Sequence, residues 1–269
     1  MRILFLGDIV GRSGRDAVEA ELPGLRAGLA LDLVVVNAEN ASHGFGLAPE
    51  MARALFAAGA DVLTLGNHAF DRKEIIPYFE QEKRLIRPLN YAPGTPGRGR
   101  IIIDLPGGRR AMVLQAMGRL FMEPLDDPFR AIQGEVQRHP LVSAVQAIII
   151  DIHAEATSEK QAMGHSFDGL ASLVIGTHTH VPSADDRILP GGTAYQSDAG
   201  MCGDYDSVIG MQKGGASLRF WRKVPSERLT PAEGIATICG LFVETDDATG
   251  LAVRVVPLRI GGALRQAVP

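Results

Sequence analysis

Two histidines with one residue between them, His178 and His180, come shortly after the apolar run of residues 173–175. Alternate residues of an extended segment point the same way, so both imidazoles are expected to face one centre. If the two rings were buried without a ligand, each would need its own hydrogen-bonding arrangement. The spacing therefore favours a pair of metal ligands, with two hydrogen-bonded histidines as the alternative.

Polar residues also follow four other apolar runs of the chain. These runs cover residues 3–6, 33–36, 62–65 and 145–152. The polar residues at or just after their ends are Asp8, Asn37, Glu39, Asn40, Asn67, His68, Asp151 and His153. In open α/β sheets the carboxyl ends of the strands share one rim, where ligands bind. A single aspartate after a strand is more often a turn residue, so the occurrence at five strand ends is what favours a shared site.

The predicted rim combines carboxylate, amide and imidazole groups. Such a mixture of oxygen and nitrogen ligands suits first-row metal ions such as Mn, Fe or Zn. A carboxylate between two cations can bridge them at about 3.5–4 Å, the separation used in two-metal phosphoryl hydrolysis. The residue types therefore predict a dinuclear metal site that hydrolyses phosphate esters.

The elements that must position these groups alternate along the first part of the chain. Strands are expected at residues 3–6, 33–36 and 62–65, and helices at residues 15–29, 51–58 and 73–82. This order of strands and helices predicts a sheet with helices on its faces. Pro23 is expected to break or bend the first helix.

The middle of the chain adds further strands and helices. Strands are expected at residues 101–105, 111–115, 145–152 and 173–175, and helices at residues 128–138 and 154–163. After Val181 the helical pattern fades, and a hairpin turn at residues 190–192 and a strand at residues 251–258 are expected. The predicted fold class is α/β, with α+β as the alternative, in one domain that covers residues 1–269.

The composition is that of an ordinary globular chain. Its 269 residues are 46% hydrophobic, which is enough for one sizeable core. The net charge of −4 gives no overall positive field, so a long nucleic acid is not an expected partner. Cys202 and Cys239 show neither metal-type spacing nor a disulfide framework. No apolar run has the length of a signal peptide core or a membrane span, so a soluble, cytoplasmic protein is expected.

The order of the polar blocks resembles that of the calcineurin-like metallophosphoesterases. The blocks are Asp8, Glu39-Asn40, Gly66-Asn67-His68, His153 and Gly176-Thr177-His178-Thr179-His180. The surrounding phrases resemble more narrowly the YmdB-like bacterial group, over nearly the whole chain. These phrases are NAENASHGFG, LTLGNHAFD, RPLNYAPGTPG, DIHAEATSEK and IGTHTHVPSAD. The resemblance implies a layered α/β sandwich whose sheets are flanked by helices.

The same resemblance implies roles for the polar residues. Glu39 would bridge two metal ions, of which the first is also held by Asp8, Asn40 and His180. The second ion would also be held by Asn67, His153 and His178. His68 would not be a ligand but the general acid. The chain departs from the superfamily because no histidine stands two residues after Asp8, and the resemblance implies that Asn40 replaces it. Iron is the expected metal, with Mn or Zn as the alternatives.

The resemblance implies hydrolysis of nucleotide phosphodiesters, above all 2′,3′-cyclic nucleotides, and attack by a metal-bound hydroxide is the expected mechanism. Two alternatives stay open: a broad phosphomonoesterase on the same site, and a metal-bearing regulatory protein with little turnover. An unrelated amidohydrolase is disfavoured, because its His-x-His pair would be expected after an early strand. The partners expected are a small phosphodiester substrate and no membrane, and a homo-oligomer is left open. Phe45 and Tyr91 are candidates for stacking on a base, with packing in a loop as the alternative.

Overall fold

Two β-sheets stacked face to face form the centre of the molecule. The computed structural model describes residues 1–222 and 228–269. In chain order the strands are β1 (Arg2–Leu6), β2 (Asp8–Ile9), β3 (Leu33–Asn37), β4 (Val62–Thr64), β5 (Leu85–Ile86), β6 (Arg100–Leu105), β7 (Arg109–Met117), β8 (Ala147–His153), β9 (Leu173–Thr177), β10 (Arg187–Ile188), β11 (Ala194–Gln196), β12 (Met201–Asp204), β13 (Ala236–Thr245) and β14 (Ala252–Gly261). The helices are α1 (Gly11–Gly28), α2 (Pro49–Ala58), α3 (Ile75–Gln81), α4 (Pro128–Arg138), α5 (Thr157–Ser166) and α6 (Lys213–Arg222).

The first sheet is mixed, and its parallel part contains the early strands. Its order is β2-β12-β13-β1-β3-β4-β5, and β14 pairs with β13 along nearly its whole length. The strands β1, β3, β4 and β5 are parallel neighbours, while β13 is antiparallel to β1. Parallel strands need crossover connections, and α1 and α2 supply them between β1, β3 and β4. The carboxyl ends of β1, β3 and β4 consequently lie at one end of the sheet.

The second sheet follows the order β10-β11-β9-β8-β7-β6. Its central strands β7, β8, β9 and β11 are parallel, and the edge strands β6 and β10 are antiparallel to their neighbours. The helices α4 and α5 connect β7 to β8 and β8 to β9. The carboxyl ends of β8 and β9 therefore also lie together.

Alternating side chains of both sheets fill the space between them. Ile3 and Phe5 of β1 belong to this inner core, together with Val113, Ile149 and Ile175 of the second sheet. The intervening side chains point outward. Those of the first sheet contact apolar residues of α1, α2 and α3, and those of the second contact α4 and α5. Both faces of each central strand are thus buried, which explains their continuous apolar runs.

The prediction of a layered α/β sandwich with flanking helices is confirmed. The predicted helix at residues 128–138 has the bounds of α4, and the other expected helices and strands overlap observed ones. Of the two effects expected of Pro23, a break of the first helix is wrong, because α1 continues through it. Pro23 is exposed, so the carbonyl that its ring leaves unpaired can reach solvent.

The helical pattern fades after Val181 in the sequence, yet α6 covers Lys213–Arg222. Its second and third residues are glycines, which have low helix propensity and explain why this helix was not expected. The ten-residue strand β13 was not expected either, because Gly240 interrupts its apolar run and weakens the strand pattern. Within the described residues, no helix is long and apolar enough to cross a membrane.

Two glycines of α1 should respond oppositely to substitution by alanine. A Cβ at Gly14 would lie 2.1 Å from the carbonyl oxygen of Cys202 in β12, whereas a Cβ at Gly24 meets nothing within 4 Å. We expect Gly14→Ala to lower the free energy of unfolding by about 1–3 kcal/mol or more, because helix and strand must move apart. Gly24→Ala should raise it by about 0.5–1 kcal/mol. Urea denaturation checks both, and equal effects would contradict the close packing of α1 on β12.

Candidate metal centre

Strand ends from both sheets, rather than from one, bring the predicted residues together. Asp8 follows β1, Glu39 follows β3, and Asn67 follows β4 in the first sheet. His153 ends β8 in the second sheet. The backbone N–H of His178, just after β9, donates to Asp8 Oδ2 at 3.3 Å. The rim predicted from the sequence therefore exists as the shared end of the sandwich.

Potential metal-ligating atoms form two groups among the described residues, and Glu39 belongs to both. One group consists of Glu39, His153 and His178, and the other of Asp8, Glu39 and His180. Within each group the nitrogen and oxygen atoms lie within 4.8 Å of one another. A carboxylate shared by two groups has the position that a bridging ligand requires.

The first group is centred on the imidazole of His153. Its Nε2 lies 3.1 Å from Glu39 Oε1 and 3.1 Å from His178 Nδ1. The amide oxygen of Asn67 is 2.9 Å from the same nitrogen. Two imidazole nitrogens and two oxygens thus converge on one small volume, which matches the N and O ligand set of first-row metal ions.

The second group contains a carboxylate oxygen that lacks a hydrogen bond. Asp8 Oδ1 is buried and has no hydrogen-bond partner among the residues that the structure describes. Leaving a buried carboxylate oxygen without a partner costs roughly several kcal/mol, unless the group is neutralised or binds a cation. Nearby, His180 Nε2 lies 3.2 Å from the amide oxygen of Asn40. The residues present therefore fit a cation at this position, with Asp8, Glu39, Asn40 and His180 around it.

The electrostatics of the cluster show how strongly it needs positive charge. Burial raises the pKa of Asp8 to about 7. Burial also works against an ionised Glu39, but the charges of His153 and His68 outweigh it and lower the pKa of Glu39 to about 2. Glu39 and Asp8 in turn overcome burial at His153 and raise its pKa to about 9. The two carboxylates thus attract positive charge to this cluster, as the raised pKa of His153 shows.

The turn after β9 differs from the expected extended segment. His178 and His180 both have left-handed backbone angles, with φ of 98° and 65°. The expected extended geometry is therefore absent, although both histidines belong to groups that share Glu39. The turn instead sends His178 towards His153 and His180 towards Asp8, so each histidine joins a different group. Burial, followed by the nearby charge of His153, lowers the pKa of His178 to about 3, which keeps its ring neutral.

A buried ion pair holds this turn in place. Asp198 Oδ2 accepts hydrogen bonds from the backbone N–H of Thr179 at 3.1 Å and from its hydroxyl at 2.6 Å. The ammonium group of Lys160, a fully buried residue of α5, lies 2.7 Å from the same oxygen. A Cβ at Gly176 would lie 1.8 Å from the backbone carbonyl oxygen of Ser197 and 2.7 Å from Cδ of Lys160, so only glycine fits at this position. Lys160 and Asp198 were not predicted, because each resembles an ordinary surface charge in the sequence.

A second buried network orients His153. Its Nδ1 lies 2.8 Å from the hydroxyl of Thr177, which donates to Asp151 Oδ1 at 2.7 Å. Thr64 and Gln115 donate to the other oxygen of Asp151 at 2.7 and 2.8 Å. Because the Thr177 hydroxyl uses its proton on Asp151, it accepts from Nδ1–H of His153. The Nε2 atom is thereby left to face the ligand group, as a metal-ligating histidine requires.

His68 lies beside the two groups but belongs to neither. Its backbone N–H donates to Glu39 Oε2 at 3.1 Å, and its ring Nδ1 is 2.8 Å from Asp71 Oδ2. The ring of Phe45 packs edge-on against it, with centroids 5.2 Å apart. Asp71 was not predicted, although its spacing of three residues from His68 on a tight turn was visible in the sequence.

A cavity of about 410 Å³ opens above these groups. Its polar floor contains Glu39, Asn40, His68, His178 and His180. Phe45 lines the cavity, as expected for a candidate stacking residue. Tyr91 does not, and its ring packs instead against Phe70, with the hydroxyl near Met117. The alternative of packing in a loop thus applies to Tyr91.

Two stacked sheets whose strand ends gather carboxylates, amides and imidazoles are typical of the calcineurin-like metallophosphoesterases, the class that the sequence resembles. Within that class, residues 4–258 match the model of the family described as YmdB-like protein. The chain therefore belongs to the YmdB-like family, and the resemblance drawn from its motifs is confirmed.

Relatives and solved structures match over nearly the whole chain. A 2′,3′-cyclic-nucleotide 2′-phosphodiesterase of Bacillus subtilis is 45% identical, and the match covers 95% of each chain. A putative phosphatase/phosphodiesterase of Mycoplasma pneumoniae is 34% identical over 97% of this chain and 93% of its own length. The solved structure of a hypothetical protein from Thermus thermophilus has a TM-score of 0.90 and 42% identity, covering 98% of this chain and 100% of that one. A novel phosphatase structure from Mycoplasma pneumoniae has a TM-score of 0.89 and 34% identity, covering 97% and 93%.

Replacing Lys160 should destabilise the protein far more than replacing a lysine of an exposed pair. Lys160→Met leaves the carboxylate of Asp198 buried without its cation, and we expect a loss of about 3–5 kcal/mol in the free energy of unfolding. Lys213 makes a 2.7 Å pair with Asp206 at the surface, so Lys213→Met is the matched control and should change stability little. Chemical denaturation measures both variants. Similar stabilities would show that the buried pair does not hold the turn.

Proposed function

We propose that this chain is a dinuclear-metal phosphodiesterase that hydrolyses nucleotide phosphodiesters, in particular 2′,3′-cyclic nucleotides. The observation that carries the proposal is the position of Glu39, which two groups of potential ligands share at the floor of one cavity. The printed name of the Bacillus subtilis relative, at 45% identity, supports the substrate class.

Two sets of side chains would hold the ions. Asp8, Glu39, Asn40 and His180 would hold one ion, and Glu39, Asn67, His153 and His178 would hold the other. When bound, such ions neutralise phosphoryl oxygens and lower the pKa of a coordinated water. The mixed amide, carboxylate and imidazole set suits iron, which we propose as the resident metal, and would also accept Mn or Zn.

The charge of the floor itself supports a need for cations in substrate binding. A phosphodiester is an anion, and the floor of the cavity carries the buried carboxylate of Glu39, which shares a ligand group with Asp8. A carboxylate of such low exposure is poorly screened, so cations between it and the phosphate would favour binding. Buried side-chain pairs fix the orientation of the ligands. The Thr177–Asp151 pair fixes His153, and the Lys160–Asp198 pair fixes the turn between His178 and His180.

His68 is the proposed general acid. Hydrolysis adds water to phosphorus and breaks the bond to one ribose oxygen, which must receive a proton as it leaves. Asp71 engages Nδ1 of His68, so Nε2 is the atom that would carry this proton. The backbone N–H of His68 is tied to Glu39, which places the ring beside the floor of the cavity. Asp71 is a positioning residue in this scheme, because it acts through the imidazole.

A broad phosphomonoesterase on the same site is the second candidate. The printed descriptions of the Mycoplasma pneumoniae relative and structure, which name a phosphatase, favour it. A monoester would bind through the same floor, and the two ions would also neutralise its second negative charge, so the substrate panel separates the two candidates.

The proposal extends to the organisation and location of the chain. Residues 1–269 would form one domain, which is supported by the pairing of the late strand β13 with β1. The free, buried thiols of Cys202 and Cys239 support a reducing compartment such as the cytoplasm.

Metal analysis combined with a substrate panel tests the function. The chain loaded with Fe²⁺ or Mn²⁺ should contain two ions and hydrolyse adenosine 2′,3′-cyclic monophosphate faster than adenosine 3′-monophosphate. Glu39→Ala should lose metal and turnover together, since both groups lose their shared oxygen. Glu80→Ala, on the exposed face of α3, is the control and should behave as the wild type. A Glu39→Ala protein that still contains two metal ions and stays active would contradict the bridging role. Hydrolysis of the monoester faster than of the cyclic ester would favour the second candidate.

Substitution of His68 tests the acid. We expect His68→Ala to lower kcat for the cyclic nucleotide by about 10²–10⁴-fold while the metal content stays unchanged. The loss should be much smaller for bis(p-nitrophenyl) phosphate, because p-nitrophenolate leaves without a proton. His165→Ala, an exposed histidine of α5, is the control. If metal content falls in parallel with activity, His68 is a ligand and its assignment as the acid is wrong.

A further inference from the structure

The wall of the cavity differs from its floor in chemistry. Beyond the polar floor the lining is mostly apolar and comes largely from outside the two sheets, with Glu155, Thr179 and Arg219 as its polar members. The apolar lining residues are Phe45, Val208, Ile209, Met211, Ala216, Phe220 and Leu229. A cavity with one charged end and one apolar end fits an amphipathic ligand, whose charged group would lie over the ligand groups.

Phe220 on α6 is the unusual member of this wall. It is 81% exposed although it lines the cavity, and large apolar side chains in such positions often mark binding sites. Phe45, the other aromatic residue of the wall, already packs its ring against His68. Phe220 therefore offers the accessible aromatic surface within the described part of the cavity.

We propose that Phe220 binds the nucleobase of the substrate by stacking, while the phosphodiester lies on the floor between Glu39 and His68. The inference rests on the proposed function for the position of the phosphate. A nucleoside phosphate has the required combination of an anionic end and a flat π-face, and the cavity volume of about 410 Å³ lies within the range of small-molecule sites. Stacking of a base on an aromatic side chain strengthens binding by about tenfold or more.

This arrangement determines the specificity. Every base has a π-face, so stacking against an apolar wall accepts all four bases and favours the larger purines. A cyclic phosphodiester without a base would lose this contact and keep the contacts of the floor. Phe220 thus selects nucleotides over other phosphodiesters, and α6 is the element that carries the selection.

The neighbouring residue supplies a matched control. Trp221 is 86% exposed, also lies on α6 and does not line the cavity. The experiment compares kcat/KM for adenosine 2′,3′-cyclic monophosphate with kcat/KM for glycerol 1,2-cyclic phosphate, which has no base. We expect the ratio of the two to fall about tenfold in Phe220→Ala, mainly through KM, since each 1.4 kcal/mol is a factor of ten. Phe220→Tyr should restore the ratio, and Trp221→Ala should keep the wild-type value.

A binding measurement separates this inference from the proposed function. Trp221 is the single tryptophan of the chain and adjoins Phe220, so its fluorescence should respond to adenosine 3′-monophosphate. The dissociation constant should rise about tenfold in Phe220→Ala. An unchanged dissociation constant and an unchanged substrate ratio, or equal losses with both esters, would overturn the role of Phe220. A wild-type protein that hydrolyses neither ester would contradict the proposed function. The binding measurement would still test whether the base contacts Phe220.

Discussion

The sharing of Glu39 between two groups of polar side chains is the constraint on which the site depends. Its side chain is buried, and His153 lies 3.1 Å away on the opposite sheet. The attraction of His153 and His68 outweighs the cost of burial, so the pKa of Glu39 falls to about 2. The two sheets therefore meet at their rims through charge as well as through the apolar core. Neither sheet could form this cluster alone, because each of the two groups combines ligands from both sheets.

Buried polar networks behind the cluster explain how its geometry is held. Asp151 lies between the sheets and accepts hydrogen bonds from Thr64 of β4 and Gln115 of β7 as well as from Thr177. Asp198 similarly joins α5 to the turn after β9 through Lys160. Polar groups in the interior are costly unless they are fully paired, and both carboxylates are paired by several donors. The ligands are thus fixed by contacts that cross between elements, rather than by the strand that carries them.

The sequence predicts the residues of the cluster better than it predicts what holds them. Apolar runs followed by Asp8, Glu39 and His153 are visible in the sequence, because a buried strand requires several apolar residues in a row. Lys160 has no such local pattern, since a single lysine in a helix is typical of a solvated face. It is buried only because Asp198, 38 positions later, lies against it. Contacts of this kind depend on the tertiary structure, and so does the left-handed turn that separates His178 from His180.

The floor and the wall of the cavity belong to parts of the fold that are packed against the core to different degrees. The floor is made by strand ends and is enclosed by buried networks, so its geometry is set by the sandwich as a whole. The wall at Phe220 belongs to α6, in which only Ala216 is buried. Substitutions on α6 can therefore change the apolar wall with little effect on the core, whereas substitutions beneath the floor disturb both sheets. Substitutions in the wall can therefore change which phosphodiester the cavity accepts while the ligand groups of the floor keep their positions. This separation is possible because the wall and the floor line the same cavity but share few packing contacts.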